Sequence, residues 1–228
     1  MRTLAAAVIM LIATQLPASP YDPLIDAAAR RRGVDPVVLR AIAAQESGKN
    51  PWTFNADGES FRFNDKSTTV RTLWGLTKAP WMVKVVPLSD KASRRFFQSQ
   101  PAAQAYATHL SRTRSLRLRT DDSKAVDRGE IRVRQLRMVN TDLGIAQISY
   151  RWHGQGVASV QRWLDPVFNL DYAASHLAAL RRKHGSDLAA AGYYHSATDD
   201  LRKLYMAGFM PKYNKEKRNA GVSLAAAR

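Results

Sequence analysis

The chain has 228 residues, a formal net charge of +16 and no cysteine. That length suits one domain with a substantial insertion, and the missing cysteines exclude disulfides and thiolate metal sites, so packing must supply the stability. The charge points to an acidic partner, whether nucleic acid, anionic lipid or cell-wall polymer; the five histidines, His109, His153, His176, His184 and His195, lack paired ligand spacing, so neither metal nor cofactor is expected.

Arg2 precedes a ten-residue apolar run, Leu4 to Ala13, and then Leu16-Pro17-Ala18-Ser19. This three-part pattern predicts a secretory signal peptide over 1–19, cut after Ala18 or Ser19. Leu16 or Pro17 stands where a small residue is preferred, so an uncleaved anchor stays open. Ten residues cannot cross a bilayer core that needs about 20, and no other segment reads as transmembrane. A periplasmic location is therefore expected, which favours wall polymer or lipid over nucleic acid as the acidic partner.

Asp22-Pro23 opens a helix that Gly33 closes, and Asp35, Pro36 and Gly48 supply the N-cap, first turn and stop of a second helix from about Pro36 to Ser47. The stretch from about 56 to 141 has a different texture and reads as a long insertion. Within it, Pro101 to Thr113 looks helical, whereas Leu116-Arg-Leu-Arg119 and Ile131-Arg-Val-Arg134 alternate apolar and basic residues. Alternation predicts a two-stranded ribbon turned near Asp121-Asp122-Ser123, one face packed and an arginine face outward for docking on anionic polymer or a partner. Asp165-Pro166 then opens a helix with an apolar stripe of Phe168, Tyr172, Ala173, Leu177 and Leu180, ended by Gly185, and a further helix runs from Leu188 to about His195. Residues 211–228 show no stripe and read as a basic, disordered tail. The fold class is α+β and mostly α, one domain over 20–210 with a small β element.

One residue breaks the pattern of the second helix. Leu39, Ile42 and Ala43 recur at helical spacing, and Glu46 falls next in the series, a carboxylate on what should be the buried stripe. Burial and the negative end of the helix both disfavour its ionised form and raise its pKa, which suits a general acid. The plainer reading is an exposed helix-end glutamate beside small neighbours.

Glu46-Ser47-Gly48 is followed by Leu143-Gly-Ile-Ala-Gln-Ile148, then Asp165-Pro-Val-Phe-Asn169, then Ala191-Gly-Tyr-Tyr-His-Ser-Ala197. In this order the set resembles the soluble lytic transglycosylase domain of the goose-type lysozyme superfamily, whose hallmarks are Glu-Ser, Gly-Leu-Met-Gln and Ala-Tyr-Asn. The likeness covers roughly Tyr21 to Leu204 apart from much of the middle, and it implies a lysozyme-like helical domain acting on peptidoglycan. Glu46 would be the catalytic acid and base. Ser47, Gly144, Ile145, Gln147, Tyr194 and His195 would bind or position the sugar, with Tyr194 bonding near Glu46. Two departures stand out: Ile145-Ala146 replaces Leu-Met, and His195 stands where the family often has Asn, as in members associated with conjugation, secretion or pilus systems. Each residue also has a plainer reading: Gly144 as a turn, Gln147 as an ordinary polar residue, Tyr194 as a core aromatic.

The resemblance implies cleavage between N-acetylmuramic acid and N-acetylglucosamine with formation of a 1,6-anhydro ring, a route that needs one carboxylate rather than two. Two alternatives stay open. One is hydrolysis by the same fold with Asp57, Glu59, Asp65 or Asp142 activating water; the other is a non-enzymatic scaffold that holds peptidoglycan within a transport or pilus machine.

Overall fold

A computed structural model describes residues 19–121 and 124–226. The expected signal segment up to Ala18 lies outside them. The chain runs through α1 (Asp22–Arg32), α2 (Pro36–Ser47), β1 (Thr53–Ala56), β2 (Glu59–Arg62) and α3 (Lys66–Lys78). Next come β3 (Trp81–Val86), β4 (Ser93–Phe97), α4 (Gln100–Thr113), β5 (Arg117–Arg119) and β6 (Glu130–Gln135). The last part holds β7 (Thr141–Leu143), β8 (Ile148–Ser149), one π-helical turn at Tyr150–Gly154, α5 (Val160–Trp163), α6 (Pro166–His184), α7 (Asp187–His195) and α8 (Asp199–Ala226). The protein is α+β with helix dominant.

Capping fixes the central helix. Asp35 Oδ1 accepts from the Val37 amide at 2.8 Å, and Gly48 ends α2 at φ 60°. Val38, Leu39, Ala41, Ile42 and Ala43 are all buried, because α2 packs against α1, α7 and α8 while α1 and α7 pack on α6. This helical layer meets a four-stranded antiparallel sheet in the order β2-β1-β7-β8, with Phe54 opposite Leu143 and Asn55 opposite Asp142. Phe54, Leu143, Ile145 and Ile148 carry the core from helices to sheet.

The insertion is a second layer pair. A sheet in the order β4-β3-β6-β5 lays Val83, Val85 and Ile131 against Ala103, Ala107 and Leu110 of α4, forming a separate small core. Here the expected ribbon is corrected. β5 and β6 are neighbours but run parallel, with Leu118 opposite Ile131, so no hairpin turn joins them; β6 takes β3 as its antiparallel partner instead.

The arginine face is also only partly free: the Arg117 side chain is 70% exposed, but those of the other three arginines are not. Arg132 and Arg134 side chains are only 5% and 11% exposed. Arg134 bonds Asp57 and Glu59, Arg132 pairs with Asp121, and Arg117 and Arg119 converge on buried Glu130. Alternation located the strands, but Asp57 of the β1–β2 turn, Glu59 of β2, Asp121 after β5 and Glu130 of β6 pair with the basic face.

The tail is likewise helical, not disordered, for α8 continues past Pro211. Tyr205, Phe209 and Glu216 fall on one buried face, and Lys49 Nζ meets Glu216 Oε1 at 2.7 Å. That stripe of four and seven spacings is present in the sequence but interrupted by a helix-breaking proline. Among the described residues no helix is long and apolar enough to cross a membrane.

Candidate active site

Glu46 stands in the last turn of α2 at one wall of a cleft of about 270 Å³. Burial pushes its carboxyl up to about 7; the Tyr205 hydroxyl opposes this and the charge on Asp142 adds to it. The Tyr205 contact falls short of full hydrogen-bond geometry, since the hydroxyl and Glu46 Oε1 are both buried without a partner. Tyr205 itself is held neutral by burial and by the neighbouring carboxyl.

The opposite wall begins with the β7–β8 hairpin. Its four-residue turn, Gly144 to Gln147, needs two positive φ angles, 75° at Gly144 and 47° at Gln147. Three side chains from three helices clamp it. Asn169 of α6 accepts from the Ala146 amide and donates to the Leu143 and Trp163 carbonyls, all at 2.9 Å. Ser47 of α2 donates to the Ile145 carbonyl at 2.6 Å, and Tyr194 of α7 donates to the Ala146 carbonyl at 2.9 Å. Held in this way, the turn presents Gln147 to the cleft, its Nε2 braced at 2.8 Å on the Gly144 carbonyl.

This placement divides the residues expected to bind sugar. Gln147, Tyr194 and His195 line the cleft beside Glu46. Ser47, Gly144 and Ile145 do not: Ser47 is buried under the turn, Ile145 is wholly in the core, and a Cβ on Gly144 would lie 2.7 Å from Asn169 Nδ2. They are the turn's supports, and sequence proximity to Glu46 and Gln147 made them resemble contacts. Tyr194 bonds the turn rather than Glu46; Tyr205, four residues before Phe209 on the α8 stripe, is the phenol that faces the acid.

Four carboxylates were candidates for a second acidic group, and only Asp142 faces the cleft. Asp57 and Glu59 are consumed by the arginine network, and Asp65 caps α3 through the Thr68 amide at 2.7 Å. Asp142 sits opposite Ser149 in the β7–β8 register; burial raises its pKa and the Ser149 hydroxyl opposes the rise.

Sequence reasoning passed over two histidines that complete the site. His153, on the π-helical turn, and His176, on α6, lie with ring centroids 4.7 Å apart, and His153 Nδ1 is 3.1 Å from the Tyr172 hydroxyl. Burial and the nearby His153 carry His176 down to about 4, so the pair is neutral at neutral pH and can hydrogen-bond without adding charge. No local spacing announces them, since they come from different elements. On the rim, Trp152 is 74% exposed with the Arg151 guanidinium 4.8 Å over its ring, whereas Trp163 is fully buried core. The arrangement thus holds a protonatable acid, one further carboxylate, amide and imidazole hydrogen-bonding groups and an open aromatic face. No family model, curated protein or solved structure matches the chain.

Proposed function

We propose that the protein cleaves glycan strands of peptidoglycan between N-acetylmuramic acid and N-acetylglucosamine, as a lytic transglycosylase with a lysozyme-like helical domain. The motif resemblance suggests the class, and one observation carries the chemistry: Glu46 stands half-buried at the wall of a cleft, its Oε1 shielded from solvent, with its pKa raised to about 7. A carboxylic acid of that strength is about half protonated at neutral pH, where an ordinary glutamate is almost wholly ionised. It can give a proton and take one back within a single turnover.

Protonated Glu46 donates to the glycosidic oxygen, the bond to the muramic C1 breaks, and N-acetylglucosamine leaves with a free hydroxyl. The muramic 6-hydroxyl then attacks C1 as the Glu46 carboxylate removes its proton, closing the 1,6-anhydro ring and restoring the acid. No water is consumed. The attacking hydroxyl is tethered to the reacting ring, and such geometry reaches effective molarities of about 10⁵ to 10⁸ M, which removes the need for a second catalytic carboxylate. Gln147 and the neutral His153–His176 pair provide hydrogen-bonding groups for the acetamido and hydroxyl substituents. Action in the periplasm, opening the wall for a conjugation, secretion or pilus machine, is the setting that this reading implies.

Asp142 supports a second reading, hydrolysis, in which its carboxylate stabilises the developing positive charge or activates a water. Digestion of purified sacculi in H₂¹⁸O separates the two. Transglycosylation yields anhydro ends with no label, whereas hydrolysis yields reducing ends that carry one ¹⁸O; labelled reducing ends as the main product would refute the first reading in favour of the second.

A further inference from the structure

Outside the residues that line the cleft, the C-terminal end of α2, the start of α1 and the far half of α8 meet in a buried cluster of charges. Lys49 Nζ lies 2.6 Å from Asp22 Oδ1 and 2.7 Å from Glu216 Oε1, and the three side chains are only 10%, 8% and 6% exposed. Arg40 lies near enough to feel both acids but is paired with Asp26. The cluster therefore holds three carboxylates, Asp22, Asp26 and Glu216, against two cations, Lys49 and Arg40. Glu216 Oε2 is buried with no hydrogen-bond partner, as expected for a site short of a donor.

Ser19 stands at the Asp22 end of this cluster. Its backbone nitrogen is 3.0 Å from Asp22 Oδ2, and the Ser19 carbonyl and hydroxyl accept from the Asp22 and Tyr21 amides. As an ordinary peptide nitrogen it gives one neutral N–H. As a chain terminus it would be an ammonium with three donors and a full positive charge at the same point. We propose that the chain is cut between Ala18 and Ser19, and that the Ser19 ammonium so formed completes the Asp22–Lys49–Glu216 cluster.

The step is hydrolysis by an endopeptidase that processes exported chains: water adds across the Ala18–Ser19 bond, leaving a carboxylate on Ala18 and the ammonium on Ser19. Cleavage one residue later would remove the atom that bonds Asp22 and leave Pro20, whose ring nitrogen carries fewer N–H donors, at the terminus. The helix dipole of α1 weakly opposes a cation near its start, but the carboxylate of Asp22 lies between them and offers the stronger, charge-assisted partner. Processing would in this way fasten α8, the helix that brings Tyr205 to Glu46, to the ends of α1 and α2. The proposal concerns the terminus and stability, so it does not depend on the cleft's chemistry.

The test has two parts. The full chain is expressed in a Gram-negative host, recovered from the periplasm, and its N-terminus read by mass spectrometry. Protein beginning at Ser19 is then melted with its terminal amine free and with that amine acetylated. We expect Ser19 as the first residue and a melting temperature lower by about 3–6 °C after acetylation, a tenfold loss of strength in the cluster's grip being of that size in a chain of this length. The same comparison in an Asp22→Asn background should show a smaller difference. A first residue other than Ser19, or equal melting of the free and acetylated forms, would overturn the proposal.

Discussion

Asp142 and Glu46 share one cleft, and the charge of Asp142 raises the pKa of the Glu46 carboxyl while the Tyr205 hydroxyl on the other side lowers it. The acid is thus tuned from two elements remote in sequence, β7 and α8. Opposite substitutions should move it in opposite directions.

The first consequence is a pH profile. Proton donation requires protonated Glu46, so turnover of sacculi should fall as pH rises through about 7. Asp142→Asn removes a charge that favours the proton, and its alkaline limb should move to lower pH. Under transglycosylation this variant keeps making anhydro products; under hydrolysis it should lose most of its activity. Initial rates between pH 5 and 9 measure both effects.

Tyr205→Phe should do the reverse. Loss of the hydroxyl removes the one effect that favours ionised Glu46, so the alkaline limb moves to higher pH. The carboxyl also loses a polar neighbour, and kcat should drop about tenfold, which corresponds to about 1.4 kcal/mol of transition-state stabilisation. A variant with an unmoved profile would show that Tyr205 only packs against His195, whose ring stacks on it at 4.5 Å.

Half-buried Glu46 destabilises the fold whenever it ionises. Its folded pKa lies above the ordinary value of 4.5, so its favourable contribution is complete below about pH 4.5 and is lost as pH rises through about 7. Glu46→Gln should therefore be inactive yet more stable than the native protein at pH 8, by on the order of 3 kcal/mol, with the gain vanishing near pH 4.5. Denaturant unfolding at the two pH values checks the sign.

The hairpin turn should tolerate no side chain at its first position. In Gly144→Ala the new Cβ would meet Asn169 Nδ2 at 2.7 Å and the Trp163 carbonyl at 2.9 Å, at a φ of 75°. A loss of at least about 2 kcal/mol is expected from strain and the disturbed Asn169 bonds, read as a lower unfolding midpoint. Gln147 would shift with the turn, so activity should fall further than stability alone explains.

Local signals in the sequence were legible, and relationships between distant segments were not. Asp35, Pro36 and Gly48 fix the ends of α2, and Asp165, Pro166 and Gly185 those of α6, because capping depends on adjacent residues. Glu46 was visible for the same reason, as a break in a local stripe. Alternation at 116–119 and 131–134 revealed strands, but not that they pair in parallel while β6 takes β3 as its antiparallel partner, nor that Arg134 meets acids as distant in sequence as Asp57 and Glu59. Asp142, His153, His176 and Tyr205 converge from four elements, and only the packing of those elements makes them one site. Ser47, adjacent to the acid, points instead under the turn.

The most direct measurement is release of soluble fragments from purified sacculi by the native protein and by Glu46→Gln, followed by mass spectrometry. The account predicts fragments ending in 1,6-anhydro-N-acetylmuramic acid from the native protein and none above background from the variant. Equal release by the two proteins, or none by a folded native protein, would contradict it.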